Sequence, residues 1–245
     1  MGNPIPRSIA GATAIVTGAD GELGFAVVER LLRADANVVA HVLDDRNSHK
    51  LKSLGNVEIE VGSPANKETA AKAVERAEAT FGPVNLLVTC HQRPAVAPLL
   101  DMSCETFWEH VHAGVLGDAY FLQEATPSMI RAGWGRVVFT TSAWSEGGKG
   151  LAAVATAAGG INILCKTAAR ELGQYNISVN VVASAFVKDE WQICDASAMG
   201  PAFPQFQIGD STSVAECVRL FCEPRIGAAV AQTIQCSGGF FRHRI

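Results

Sequence analysis

The sequence predicts a single doubly wound α/β domain, a parallel β-sheet flanked by helices on both faces. Short β-branched runs alternate with longer amphipathic stretches along all 245 residues, the pattern of strand–helix–strand units joined by right-handed crossovers. The strand candidates read as continuous apolar runs, as strands covered on both faces do. No linker, internal repeat or low-complexity segment divides the chain, so one domain over residues 1–245 is expected. At 48% hydrophobic content a chain of this length buries a substantial core.

The elements follow in order. Residues 12–16 form an apolar run, then a glycine-containing turn, then a helical pattern over 23–33. Strands are expected at 38–43 and 57–61, and the alanine-rich segment 67–81 has helical spacing that Gly82-Pro83 terminates. Apolar strands at 84–89 and 136–141 bracket a helix containing 108–131. A second long helix covers 152–173, followed by a strand at 178–183. Residues 188–211, with Pro201 and Pro204, read as a lid-like loop over a substrate pocket. A helix at 213–222 and a strand at 230–236 close the chain.

Composition excludes several classes. Twenty Lys plus Arg against 24 Asp plus Glu leave a net charge of -4, which does not suit a nucleic-acid-binding surface. The seven cysteines are scattered, form no CxxC pair and are not grouped with histidines, so no zinc site is expected and a reducing compartment is. The N-terminal MGNPIPRS lacks the apolar stretch of a signal peptide, and the uncharged run 151–165 is short for a membrane span. A cytoplasmic protein without membrane contact is the expectation.

Motifs then narrow the class. Thr17-Gly18-Ala19-Asp20-Gly21-Glu22-Leu23-Gly24 follows the first strand and opens the first helix. It resembles the TGxxxGxG turn of the short-chain dehydrogenase/reductase family. FGPVNLLV (81–88), GRVVFTTS (135–142), ISVNVVA (177–183) and QTIQCSGG (232–239) resemble the family's later strands in the same order, so the likeness covers nearly the whole chain. It implies a Rossmann-like fold and, in intact members, hydride transfer between NAD(P) and a carbonyl or alcohol. There a tyrosine exchanges a proton with the substrate oxygen and a lysine one helical turn later lowers its pKa. A serine orients the substrate and an asparagine supports a water relay.

Ser142 occupies the serine position. Family spacing places Ala155 at the tyrosine, Gly159 at the lysine and Val115 at the asparagine. A shifted register does not help: Tyr120 and Tyr175 are the only tyrosines, and the residues four further on are Glu124 and Val179. A methyl group donates no proton, and positioned acid–base groups contribute ~10²–10⁴-fold to rate. No intact catalytic residue set is therefore expected.

The cofactor turn departs as well. Gly18 and Gly24 hold the first and third glycine places, but Glu22 holds the middle one, where backbone should approach the pyrophosphate. A carboxylate there would satisfy the helix N-terminus itself and repel phosphate, by ~1 kcal/mol at 4 Å in water and ~4 kcal/mol at an effective dielectric of 20. Gly21 offers an alternative glycine. The ribose-binding acid position is Val42, with Asp44 and Asp45 slightly beyond, and the family's NNAG reads Thr89-Cys90-His91-Gln92. No cofactor is expected in this chain.

Other candidates carry less. Cys90 and His91 sit at the ligand edge of a strand, but neighbours on a strand point to opposite faces, which favours a core thiol beside a rim imidazole. His110 and His112 are two apart on a helix and do not face each other.

The resulting expectation is a non-catalytic subunit of a hetero-oligomeric short-chain dehydrogenase. NAD would bind in an intact partner subunit, contacted through helices 108–131 and 152–173 and the C-terminal segment 238–245 with Phe240-Phe241. The family contains such pairs, for example the 2-[hydroxy(phenyl)methyl]succinyl-CoA dehydrogenase of anaerobic toluene degradation, one subunit of which lacks these residues. Two alternatives stay open. One is non-redox chemistry in the old pocket by Ser142 with Cys90, His91 or residues near Trp191. The other is a rearranged NAD(P)-dependent oxidoreductase.

Overall fold

The computed structural model describes residues 6–46, 48–91, 96–184 and 210–237. Seven parallel strands form one sheet in the order β3-β2-β1-β4-β5-β6-β7. They are β1 (Thr13–Thr17), β2 (Asn37–Val42), β3 (Val57–Val61), β4 (Val84–Thr89), β5 (Gly135–Ser142), β6 (Ile177–Ser184) and β7 (Thr233–Cys236). Among the described residues seven α-helices cover the two faces: α1 (Glu22–Leu32), α2 (Ser48–Lys52), α3 (Lys67–Thr80), α4 (Cys104–Val111), α5 (Gly117–Ala132), α6 (Ala152–Leu172) and α7 (Ser211–Cys222). The doubly wound fold is as the sequence predicts. The central strands β1, β5 and β6 are buried at every residue, which is why their apolar runs show no alternation.

The chain order reverses between β1 and β4, and the crevice at such a switch point is where open α/β sheets bind ligands. Two glycines close it. At Gly18 (φ +62°) an added Cβ would lie 2.5 Å from the Cys90 carbonyl oxygen, and at Gly24 it would lie 2.2 Å from the Gly18 carbonyl oxygen. The first and last fingerprint glycines are thus fixed by packing between turn, helix and β4, whatever the turn binds.

Two differences from the sequence reading have physical causes. The expected helix 108–131 is two helices joined by a π-turn at His112–Leu116. Ser211 belongs to α7 rather than to a loop, with Asp210 as N-cap accepting from the Ser213 N–H at 2.7 Å. The rest of the lid-like segment, through residue 209, lies outside the described residues, as do Gln92, Trp191 and the C-terminal 238–245. By length and composition the helical stretch Ala152–Tyr175 is apolar enough to cross a membrane, as a helix packed in a protein core also is. It owes its apolarity to the face carrying Ala153, Val154, Ala157, Ala158, Ile161 and Cys165, all buried.

Candidate functional site

Ser142 is fully buried at the end of β5, and its Oγ accepts a hydrogen bond from the Trp144 N–H at 3.1 Å, capping the short turn that follows. On α6, Ala155 and Gly159 are one helical turn apart on a partly exposed face. A Cβ built on Gly159 meets nothing within 4 Å, whereas one on Gly160 would touch Val115 Cγ2 at 3.1 Å. Val115 therefore packs on α6 from the π-turn. Ser142, Val115, Ala155 and Gly159 stand on the elements where the spacing puts them, but among them only the Ser142 hydroxyl can hold or move a proton.

At the glycine turn, Gly21 is the extended N-cap of α1 and supplies no side-chain cap. Glu22 opens the helix, and its Oε1 accepts from the Ser211 hydroxyl at 2.8 Å, linking the first turns of α1 and α7. A cleft of about 380 Å³ adjoins, and its titratable lining is Asp20, Glu22 and Glu29 against Lys50 alone. The Gly18 N–H is directed to Nδ1 of His41 at 3.4 Å, and His41 Nε2 donates to the Gly62 carbonyl at 2.9 Å. Val42, at the ribose position, is wholly buried and offers no polar atom to a ribose. Carboxylates outnumber cations in the cleft lining, which does not suit the phosphates of a dinucleotide.

Beneath the turn lies a polar cluster that the sequence reading missed. His91 is buried rather than at the rim, which corrects that expectation. Its Nδ1 lies 2.6 Å from Thr17 Oγ1, and Thr17 Oγ1 also accepts the Cys90 N–H at 3.2 Å. The threonine hydrogen thus goes to Nδ1, and the imidazole proton sits on Nε2, which faces Asp118 Oδ1 at 3.4 Å. Burial, reinforced by neighbouring His41, pushes the His91 pKa down to about 3, while the carbonyls of Gly114 and Ala113 pull the other way. Burial also holds the Asp118 carboxyl well above its usual range, against the Thr89 hydroxyl that faces it. His41 is lowered by the same desolvation. At neutral pH both histidines are neutral.

Hydroxyl, imidazole and carboxyl in this order have the connectivity of a nucleophilic triad. Thr17 is 0% exposed, however, so no substrate reaches it, and the cluster is structural. Cys90 is also buried, as a core thiol should be. His110 is buried and His112 exposed, and among the described residues no group of three or more His, Cys, Asp or Glu could hold a metal. The available signal for the cluster was an acid, Asp118, in the apolar run GVLGDAYFL.

The short chain dehydrogenase family model matches residues 12–194, three quarters of the chain. The chain belongs to the short-chain dehydrogenase/reductase family. It is 33% identical over 174 residues to the 3-oxoacyl-[acyl-carrier-protein] reductase MabA of Mycobacterium tuberculosis, covering 71% of this chain and 68% of that protein. It is 28% identical over 253 residues to the (3R)-3-hydroxyacyl-CoA dehydrogenase of Mus musculus, covering 94% and 96%. A short-chain type dehydrogenase/reductase from Mycobacterium ulcerans shares the fold at a TM-score of 0.87 and 22% identity, over 95% of this chain and 90% of that one. These relatives are named as oxidoreductases, and members of the family normally bind NAD(P).

Proposed function

We propose that this chain is a non-catalytic subunit of a hetero-oligomeric short-chain dehydrogenase acting on an alcohol or hydroxyacyl-CoA. It stabilises a catalytically intact, NAD-dependent partner and binds no cofactor itself. The observation that carries this reading is the pair Ala155 and Gly159 on the partly exposed face of α6, a methyl group and a hydrogen at the positions of the proton donor and its lysine. Glu22 supports it by placing a carboxylate, tied to Ser211, at the middle glycine of the turn.

The partner surface is α4, α5 and α6 with the π-turn between the first two, where Trp108 is 55% and Ile163 61% exposed and Leu116 is also exposed. Apolar side chains exposed together on neighbouring helices, as a contiguous patch, are the pattern of a contact surface. The C-terminal segment 238–245 is proposed to join this contact. The subunit pairing of the toluene-degradation dehydrogenase is the model for the arrangement. Non-redox chemistry in the old pocket gains no support, because Ser142 caps its own turn and Cys90 and His91 are buried.

Co-expression with tetrad-bearing members of the family tests the reading. A stoichiometric complex whose dehydrogenase activity falls when this chain is omitted is expected, and Trp108→Glu should weaken the complex while leaving this chain's own melting temperature unchanged. A stable homo-oligomer that ignores every such paralogue, or a chain that alone binds NADH at micromolar concentration, overturns it.

A further inference from the structure

The π-turn between α4 and α5 holds one residue more than an α-helical turn. At its end the Gly117 N–H reaches the carbonyls of His112 and Gly114 and passes over that of Ala113, the acceptor it would have in a regular α-helix. The His91 imidazole lies against this stretch. Its Nε2–H is directed at the carbonyls of Gly114 and Ala113 and at Asp118 Oδ1, 3.4 Å away, shared among them rather than committed to one. The approach is close: a Cβ built on Gly117 would lie 2.6 Å from Nε2 and 3.2 Å from Pro64 Cβ, so glycine leaves the ring its room. The other edge of the ring is tied to the sheet, with Nδ1 2.6 Å from Thr17 Oγ1, and its plane lies beside Phe121 at 6.4 Å between centroids. Val115, inside the turn, meets α6 at Gly160.

We propose that His91 is a positioning residue for the partner surface: anchored on Thr17, its Nε2–H holds the π-turn, and the π-turn sets the rotation at which α4 presents Trp108. Relaxing the turn to regular α-helix would rotate α4 by about 100° and shift it by about 1.5 Å along its axis relative to α5. That rotation carries Trp108, 55% exposed and stacked near His112 at 5.8 Å, off the surface it shares with Leu116 and Ile163. A donor buried under the turn is therefore what keeps the exposed face in register. The inference rests on the partner reading only for what that face is used for.

Two non-titrating variants of the full chain separate the two ends of the ring. His91→Gln keeps an N–H donor near the place of Nε2, whereas His91→Asn keeps a polar atom only near the place of Nδ1. Amide hydrogen exchange at Leu116, Gly117 and Asp118, followed by NMR against the amides of α6, should be about tenfold faster in His91→Asn, the worth of one hydrogen bond, and close to wild type in His91→Gln. Wild-type exchange in a folded His91→Asn overturns the proposal, and so does equal loosening in both variants, which would mean that Nε2 is not the holding atom. Should His91→Asn fail to fold, Gly117→Ala drives a Cβ against Nε2 and should loosen the same three amides with His91 still present; unchanged exchange there overturns the proposal equally. None of these readouts needs a partner chain, so their failure is distinct from a failure of the co-expression experiment.

Discussion

The neutral His91–Asp118 pair makes a prediction about acid stability with a definite sign. His91 titrates at about 3 in the folded chain against 6.5 when exposed. Its folded value is the lower one, so the unfolded chain takes up the proton first. The stability it contributes is complete above pH 6.5 and drains away as pH falls towards 3. Between pH 7.5 and 4.5 the two values give a loss of about 3 kcal/mol. For a chain of 245 residues that corresponds to about 5–10 °C in Tm. Asp118 acts in the opposite sense: folded, it keeps its proton above pH 3.8, so its contribution falls as pH rises. The wild-type profile contains both and is not the informative curve.

The informative quantity is the difference between wild type and His91→Asn, which keeps a polar side chain beside Thr17 but does not titrate. Urea unfolding at fixed ionic strength from pH 4.5 to 7.5 should show the wild type gaining about 3 kcal/mol on the variant as pH rises. Asp118→Asn should give a difference of the opposite sign, with the wild type losing ground as pH rises. Parallel curves for wild type and His91→Asn would refute the reasoning, since they mean that His91 takes up its proton as readily folded as unfolded. The resonance of its ring C–H, static from pH 7.5 to 4.5 in the folded protein, gives an independent reading of the same pKa.

Two further outcomes follow from packing. Gly24→Ala should cost about 3 kcal/mol or more in urea unfolding, because its Cβ would meet the rigid Gly18 carbonyl oxygen at 2.2 Å; Gly82→Ala, at φ +97° with nothing within 4 Å, should cost only about 1 kcal/mol. Arg136→Leu should cost about 3 kcal/mol, measured the same way, because the buried guanidinium donates to the carbonyls of Gly135, Asn176 and Pro224 at 2.7, 3.2 and 2.9 Å and leaves three buried acceptors behind.

What was legible in the sequence is what local periodicity encodes. The strands at 57–61 and 84–89 match β3 and β4 residue for residue, since VEIEV alternates with the period of a strand and VNLLVT is a largely apolar run, each bounded by turn residues. The π-turn at His112–Leu116 was not legible: one extra residue in a helical turn changes no propensity, and what accommodates it, Gly160 leaving room for Val115, lies over forty residues away. Helix α2 was missed because SHKLK is polar and five residues long, with only Leu51 buried. The substitutions at 115, 155 and 159 were readable because the family pattern assigns a role to each position by spacing alone. The His91–Asp118 contact was not, because it joins a strand end to a helix 27 residues on, and Asp118 in its apolar run signals a buried acid without naming the partner.

The two acids near the switch point diverge through the same physics of burial. Glu22, only partly buried at a helix N-terminus, takes a hydroxyl donor from α7. Asp118, 0% exposed, holds its proton and sits beside a neutral imidazole. Both fill, with side chains of the chain itself, space next to the crevice where folds of this kind receive ligands. The most exposed large apolar side chains lie elsewhere: Leu100 at 97%, Leu99 at 73% and Ile163 at 61% exposure. They sit before α4 and on α6, so the surface that would gain most from being covered is that of the helices, and this distribution is the physical ground for reading the chain as a subunit that acts through contact.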